Sequence, residues 1–207
     1  MTKALGPRTF LAGVGAVMAL ASVVLGFSVH RDIPELDAAL RDVAVSMGPN
    51  TTPVATVVSF LLSPGMAVVA LASLTLRAFL ARDVLIFKGA VLLGTSWSTV
   101  LARYTYDRVR PVEHHLPSYP SGHVTAVTAV VFTGVVLCAH LARHLLRKAV
   151  AIAVTAIALT AASRVALEVH WFTDTVGAVL ATTGVGLLAT LALRLLPVGV
   201  GSNREQS

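Results

Sequence analysis

An all-α integral membrane bundle of six transmembrane helices is the fold class that this sequence predicts. Three observations predict it. Of the 207 residues, 56% are hydrophobic and only 13% are charged, whereas a soluble domain carries about 25% charged residues. The mean hydropathy is +0.80. Six apolar runs each approach the roughly 20 residues needed to cross a hydrocarbon core. No charged stretch is long enough to fold separately, so residues 1–207 read as a single membrane-embedded domain.

The first run, residues 10–29, follows Lys3 and Arg8. Ala19-Leu20-Ala21 resembles a signal-peptidase site, but the apolar run continues well past it, which favours a retained helix. The loop after it places Ile33, Leu36, Leu40, Val43 and Met47 at helical spacing. A short helix lying in the outer interface is expected, with Asp32 as its cap, Pro34 in its first turn and its acids facing water. The second run, 54–76, contains Pro64-Gly65, where a kink is expected. The third run is 84–101, the fourth 122–141, the fifth 149–167 and the sixth 172–196. Residues 198–207 read as a disordered tail.

Lysine and arginine set the orientation. With a cytoplasmic N-terminus, ten cations face inward: Lys3, Arg8, Arg77, Arg82, Lys88, Arg143, Arg147, Lys148, Arg194 and Arg204. Six face outward: Arg31, Arg41, Arg103, Arg108, Arg110 and Arg164. Both termini are therefore expected in the cytoplasm. Five of the seven histidines, His30, His114, His115, His123 and His170, then fall on the outer side. The net charge of +6 is not gathered into a basic run with interleaved aromatics, so nucleic acid is not an expected partner. The lone Cys138 excludes an internal disulfide and reads as a buried thiol.

Three outer stretches carry chemistry: RYTYDRVRP with Arg103, Arg108 and Arg110, YPSGHVTAV with Ser121, Gly122 and His123, and SRVALEVHWFTD with Arg164, His170 and Asp174. Guanidinium groups offer planar donors that match phosphate oxygens. Ser121 and Gly122 open a helix, where free amide hydrogens and the helix dipole favour an anion. Two histidines suit phosphoryl transfer through an enzyme intermediate, one attacking phosphorus and one protonating the leaving oxygen. Asp174 follows His170 by four residues, so one helix face carries both and the carboxylate can orient the ring. Charges at membrane depth are costly and usually functional.

The spacing Arg103-x6-Arg110-Pro111, then Pro120-Ser121-Gly122-His123, then Ser163-Arg164-x5-His170-x3-Asp174 resembles the three-part signature of the type 2 phosphatidic acid phosphatase superfamily. That superfamily includes lipid phosphate phosphatases, polyprenyl pyrophosphate phosphatases and relatives of the soluble vanadium haloperoxidases. The resemblance implies a vanadium-haloperoxidase-like phosphatase core with its site on the outer membrane face. It implies His170 as nucleophile, Asp174 as its orienting partner and His123 as general acid. It implies that Arg103, Arg110, Ser121, Gly122 and Arg164 hold the phosphate, with no metal and no cofactor. The expected partners are the bilayer and a lipid phosphate or polyprenyl pyrophosphate of the cell envelope. Two departures stand out: Arg103 occupies a position where the family has lysine, and the loop 111–120 is short. Lipid phosphotransfer through the same site, or a catalytically silent lipid-binding or transport protein, are the alternatives.

Simpler roles are expected for the neighbours. Arg108 is read as facing water or pairing with Asp107, and Glu168 as an interfacial carboxylate. Tyr104, Tyr106, Tyr119 and Trp171 fit an aromatic belt, and Trp97 a packing position. His114 and His115 read as solvated. His140 and His144 have zinc-like spacing but no third ligand near them.

Overall fold

The computed structural model describes residues 6–48, 51–113 and 115–196. The expected tail 198–207 and His114 lie outside these. Six helical spans are long and apolar enough to cross a membrane among the described residues. The first is α1 (Pro7–Val29). The second, Thr52–Ala81, is divided into α3 (Thr52–Leu61) and α4 (Pro64–Ala81). Proline cannot donate within a helix but suits a first turn, so the expected kink is a full break, with Pro64 restarting the helix. The third span combines α5 (Val84–Trp97), a 3-10 stretch (Ser98–Ala102) and the single turn α6 (Arg103–Tyr106). The last three spans are formed by α7 (Gly122–Leu141), α8 (Leu146–Ala166) with a preceding 3-10 turn, and α9 (Phe172–Ala192).

The bilayer explains an outer surface that water would not tolerate. Phe60, Phe79 and Leu80 are among many large apolar side chains pointing outward, and Phe79 is 81% exposed. Between the helices the logic reverses. Lipid tails are as apolar as leucine, so helices associate through close contact of small residues and through hydrogen bonds. The most extensive pairing joins α1 to α9. A Cβ on Gly184 would lie 2.6 Å from the Ala19 backbone nitrogen and 2.8 Å from the Gly15 carbonyl oxygen. The two backbones therefore touch at Gly184. Buried hydroxyls, including Thr125, Thr160 and Thr182, populate the same interior.

Helix α2 (Glu35–Ser46) follows α1 on the side where α7 and α9 begin and α8 ends. Its first turn differs from expectation: Pro34 is the N-cap residue, and no side chain caps the helix. Ile33, Leu36, Val43 and Met47 are exposed, whereas Asp37 and Ala44 are buried. The acids were expected to face water, and for Asp37 that is corrected: seven residues before Ala44, it shares the buried face of α2.

Tyr119 anchors the loop between α6 and α7. Its ring is fully buried and fills space that glycine leaves on both α1 and α9, at Gly26 and Gly177. Its hydroxyl donates to the Ser22 carbonyl at 2.5 Å, and Ser22 Oγ donates to the Gly177 carbonyl at 2.9 Å. Tyr106 meets Tyr119 edge to face, with centroids 5.0 Å apart. Burial pushes the Tyr119 phenol up to about 12, so it remains a donor. Only Tyr104, well exposed, has the setting of a belt aromatic; Tyr106, Tyr119 and Trp171 are buried.

The α1–α9 contact generates a paired test. Gly184→Ala should destabilise the folded protein by about 1–3 kcal/mol, the usual cost of overpacking. Gly13→Ala has no atom within 4 Å of the new Cβ and should gain up to about 1 kcal/mol of helix propensity. Thermal unfolding of both variants in one detergent checks the contrast.

Candidate active site

Asp174 is the hub of the polar interior. It lies at the third position of α9 and is fully buried. Its Oδ2 accepts from the Trp171 amide at 2.8 Å, capping the helix, and also from Ser118 Oγ. His170 Nδ1 stands 3.3 Å from the same oxygen. Asp174 Oδ1 accepts from Arg108 Nη1 at 2.6 Å. The carboxylate thus holds its own helix start, the loop before α7 and the imidazole together. Its backbone carbonyl accepts from the Ser121 amide at 3.2 Å, fastening the start of α7 to the start of α9.

Arg108 is a correction to the sequence reading. It is 2% exposed, and it neither faces water nor pairs with Asp107. Its Nη1 donates to Asp174 and to Thr173 Oγ1 (2.7 Å), and its Nη2 donates to Asp37 Oδ2 at 2.8 Å. Asp37 also accepts from the Thr173 amide at 2.9 Å and the Thr173 hydroxyl at 2.5 Å. The guanidinium lies over the Trp171 ring, 5.8 Å from its centroid, and the indole N–H donates to the Val109 carbonyl. Trp171 is therefore a buried platform.

In front of this layer, a cavity of about 330 Å³ is lined by Arg103, Arg110, Gly122, His123, Arg164 and His170, with Pro64, Trp97, Val100 and Leu116 as its apolar wall. Six of the eight site residues named from sequence meet there. Asp174 stands behind His170, and Ser121 lies fully buried at the N-cap of α7. Trp97, expected only to pack, faces the cavity. Arg110 is held by the Leu116 carbonyl at 2.8 Å and the Val169 carbonyl at 3.0 Å, which leaves its Nη1 3.3 Å from His170 Nε2. Arg164 Nη1 donates to Ser59 Oγ at 2.5 Å, drawing the broken second span to the site. Arg103 Nε is anchored on the Val100 carbonyl, and its Nη2 occupies the space a Cβ at Gly122 would fill. Glycine at 122 therefore admits a guanidinium to the first turn of α7.

The electrostatics favour an anion. Arg103, Arg110 and Arg164 converge on the cavity, and the carboxylates Asp37 and Asp174 sit behind it, already engaged. Ser121 Oγ and Arg164 Nε are buried without a hydrogen-bond partner, a state that is costly unless a ligand or water satisfies them. Burial holds the His170 imidazole down at about 4, with Arg110 and Arg164 adding to the effect and Asp174 opposing it. The ring is therefore neutral at physiological pH. With Nδ1 directed at Asp174, its Nε2 lone pair faces Arg110 and the cavity. Burial and then Arg103 lower Arg110, against Asp174, but guanidinium keeps its charge.

The sequence reading missed Ser118, Asp37, Arg108 and Thr173. Nothing local marks Asp37 as buried, since Ile33 and Leu36 of the expected apolar stripe are themselves exposed. No local pattern marks Ser118. Other expected bystanders are placed elsewhere: Glu168 pairs with Arg41 at 3.5 Å, exposed His115 does not line the cavity, and His140 Nε2 lies 2.8 Å from the Leu195 carbonyl. No cluster of three metal-ligating side chains occurs among the described residues. A larger cleft of about 640 Å³ at the α4–α5 turn, bordered by Arg82, Asp83 and Phe87, carries none of the histidines.

Six spanning helices around an arginine-lined cavity define an integral membrane protein with a polar pocket among its helix ends. The sequence model of the PAP2 superfamily matches residues 93–196, half of the chain. The chain belongs to the PAP2 superfamily, and its class of activity is that of a phosphatase. Its fold is similar to that of a transmembrane PAP2 type phosphatidylglycerolphosphate phosphatase from Bacillus subtilis. The TM-score is 0.71 at 22% identity, over 85% of this chain and 94% of that one. No curated protein matches the chain.

Arg108→Gln would leave two buried carboxylates without their shared cation. Removing one partner of a buried ion pair costs about 3–5 kcal/mol, and a loss of that size is expected in detergent-based unfolding of the variant.

Proposed function

We propose that this protein removes phosphate from a lipid phosphate or polyprenyl pyrophosphate, without a metal, through a phosphohistidine intermediate. The observation that carries the reading is one cavity faced by two imidazoles and three guanidinium groups, with one imidazole backed by a buried carboxylate. His170 Nε2 attacks phosphorus, and the bond from phosphorus to the leaving oxygen breaks. His123 gives that oxygen its proton. The positive charge left on the His170 ring is shared through Nδ1–H with Asp174. Water then attacks the phosphohistidine, with His123 taking the proton, and inorganic phosphate leaves. Arg103, Arg110 and Arg164 hold the equatorial oxygens as charge develops, and the start of α7, with Ser121 and Gly122, supplies further donors. A bound phosphate dianion offsets these guanidinium charges.

The substrate class follows from the surroundings. The cavity lies where α7 and α9 begin and α8 ends, with Trp97, Val100 and Pro64 forming an apolar wall, and ends of spanning helices are where headgroups lie. A headgroup phosphate fits between the arginines while its tail stays in lipid. The cation distribution supports cytoplasmic termini and an active site on the extracytoplasmic face of the cell membrane.

Purified protein in detergent with EDTA should release phosphate from at least one of polyprenyl pyrophosphate, phosphatidic acid, phosphatidylglycerol phosphate or a polyprenyl sugar phosphate. His123→Ala should lose about 10²- to 10⁴-fold in kcat, the usual worth of general acid catalysis, and His170→Ala should abolish turnover. Near-normal turnover by His170→Ala would contradict the mechanism.

The pH profile gives a separate test. The nucleophile must be neutral, so activity falls as pH drops through the His170 value. Because burial lowers that value to about 4, the acid limb of kcat/KM should lie below the ordinary histidine range. The substrate's own second phosphate ionisation, near pH ~6, has to be allowed for. An enzyme limb at or above pH ~6.5 would count against the buried neutral imidazole.

A further inference from the structure

We infer that Asp37, on the interfacial helix α2, is a positioning residue for catalysis, acting on His170 through Arg108 and Asp174. The inference rests on the phosphatase reading above. Asp37 does not line the cavity, so it has no contact with substrate. It is buried, accepts from Arg108 Nη2 at 2.8 Å and receives both the amide and the hydroxyl of Thr173. Arg108 Nη1 in turn donates to Asp174 Oδ1 at 2.6 Å, and the other oxygen of Asp174 faces His170 Nδ1. One guanidinium is thus shared between two buried carboxylates.

The charge balance explains why two carboxylates are present. Asp37 and Arg108 together are neutral, so Asp174 acts on the His170 ring as an uncompensated negative charge. That charge is needed when attack on phosphorus leaves the ring positive. Without Asp37, the whole charge of Arg108 bears on Asp174, and the pair behind the ring becomes neutral. The imidazolium then loses its counter-charge, and the neutral ring also holds a proton less readily. The other charged or titratable groups facing His170 are Arg110 beside Nε2, and Arg103, Arg164 and His123 around the cavity. None of these is a carboxylate, so within that set Asp174 alone supplies negative charge. Because Asp37 belongs to α2, the docking of that amphipathic helix is wired to the nucleophile.

The test uses the full chain in detergent with EDTA. Phosphate release is followed from dioctanoyl phosphatidic acid, or from whichever lipid of the panel above turns over faster. Rates are expressed per monodisperse protein. Asp37→Asn keeps the shape and an acceptor for Thr173 but removes the charge. It should lower kcat by about 10- to 100-fold, by analogy with the loss when outer-shell partners of metal-binding histidines are removed. KM should hold, and the acid limb of kcat/KM should move to lower pH. The double variant Asp37→Asn/Arg108→Gln restores a neutral pair behind Asp174, and its acid limb should return toward that of the wild type. A merely structural Asp37 would move no limb, and the double variant would only be worse; either result overturns the inference. If Asp37→Asn does not fold, the double variant is compared with Arg108→Gln alone, which leaves both carboxylates uncompensated behind the ring: adding Asp37→Asn should bring a limb raised by Arg108→Gln back down toward the wild type, and identical limbs in the two variants contradict the inference. His170→Ala is assayed in parallel. If it is inactive while Asp37→Asn keeps the wild-type limb and kcat, only this inference falls; if it is active, the phosphatase mechanism falls first.

Discussion

A carboxylate buried among membrane-spanning helices has to be fully engaged, and Asp174 meets that demand with four partner groups from two other segments of the chain. The Trp171 amide, the Ser118 hydroxyl, the His170 ring and the Arg108 guanidinium all converge on it. Leaving such a group unpaired costs several kcal/mol, so each of these partners is held where Asp174 requires it. The consequence is geometric. The loop before α7, the turn between α8 and α9 and, through Arg108 and Asp37, helix α2 are tied to one another. The imidazole they share presents its other nitrogen to the cavity.

Everything in front of His170 is arranged as the complement of what lies behind it. Negative groups are engaged in the rear layer, and three guanidinium groups line the cavity, each fixed by a neighbour: Arg103 by Val100, Arg110 by Leu116 and Val169, Arg164 by Ser59. A set of donors held in place by protein needs little reorganisation when negative charge develops among them, which is what the proposed phosphoryl transfer would ask of them. The helix packing serves the same end. Where Gly26 and Gly177 leave space, the Tyr119 ring fills it and anchors the segment that carries Ser118 and Ser121. Where Gly184 meets α1, the backbones touch and the bundle gains rigidity without large side chains.

What was legible in the sequence was whatever local pattern encodes. Apolar run length gave the spans, because bilayer thickness fixes it. An irregularity at Pro64 was readable because proline has no amide hydrogen, although it was expected as a kink and is a full break. Positions at helix ends placed Arg110, His123, Arg164 and His170 on one side, and the resemblance of their spacing to the family signature implied their convergence. The rear layer was not. Asp37 and Arg108 are 71 residues apart, and nothing local shows that each is the other's reason for being buried. On its own, an acid on an interfacial helix reads as wet, and an arginine beside Asp107 reads as its ion-pair partner. Tyr119 and Trp171 were misread for the same reason. An aromatic near a helix end suits a membrane belt, and only the tertiary contacts of Tyr119 with Gly177 and of Trp171 with Arg108 turn it inward.

The central claim is that one tetrahedral anion is held between His123 and His170 with guanidinium groups around its equator. Orthovanadate adopts the five-coordinate geometry of a phosphoryl group in transfer, and an experimental structure of the protein with vanadate bound is the most direct measurement. Vanadium bonded to His170 Nε2, His123 on the opposite axial side and Arg103, Arg110 and Arg164 on the equatorial oxygens is the expected result. Vanadate bound outside this cavity, or inside it with His170 turned away, would contradict the account.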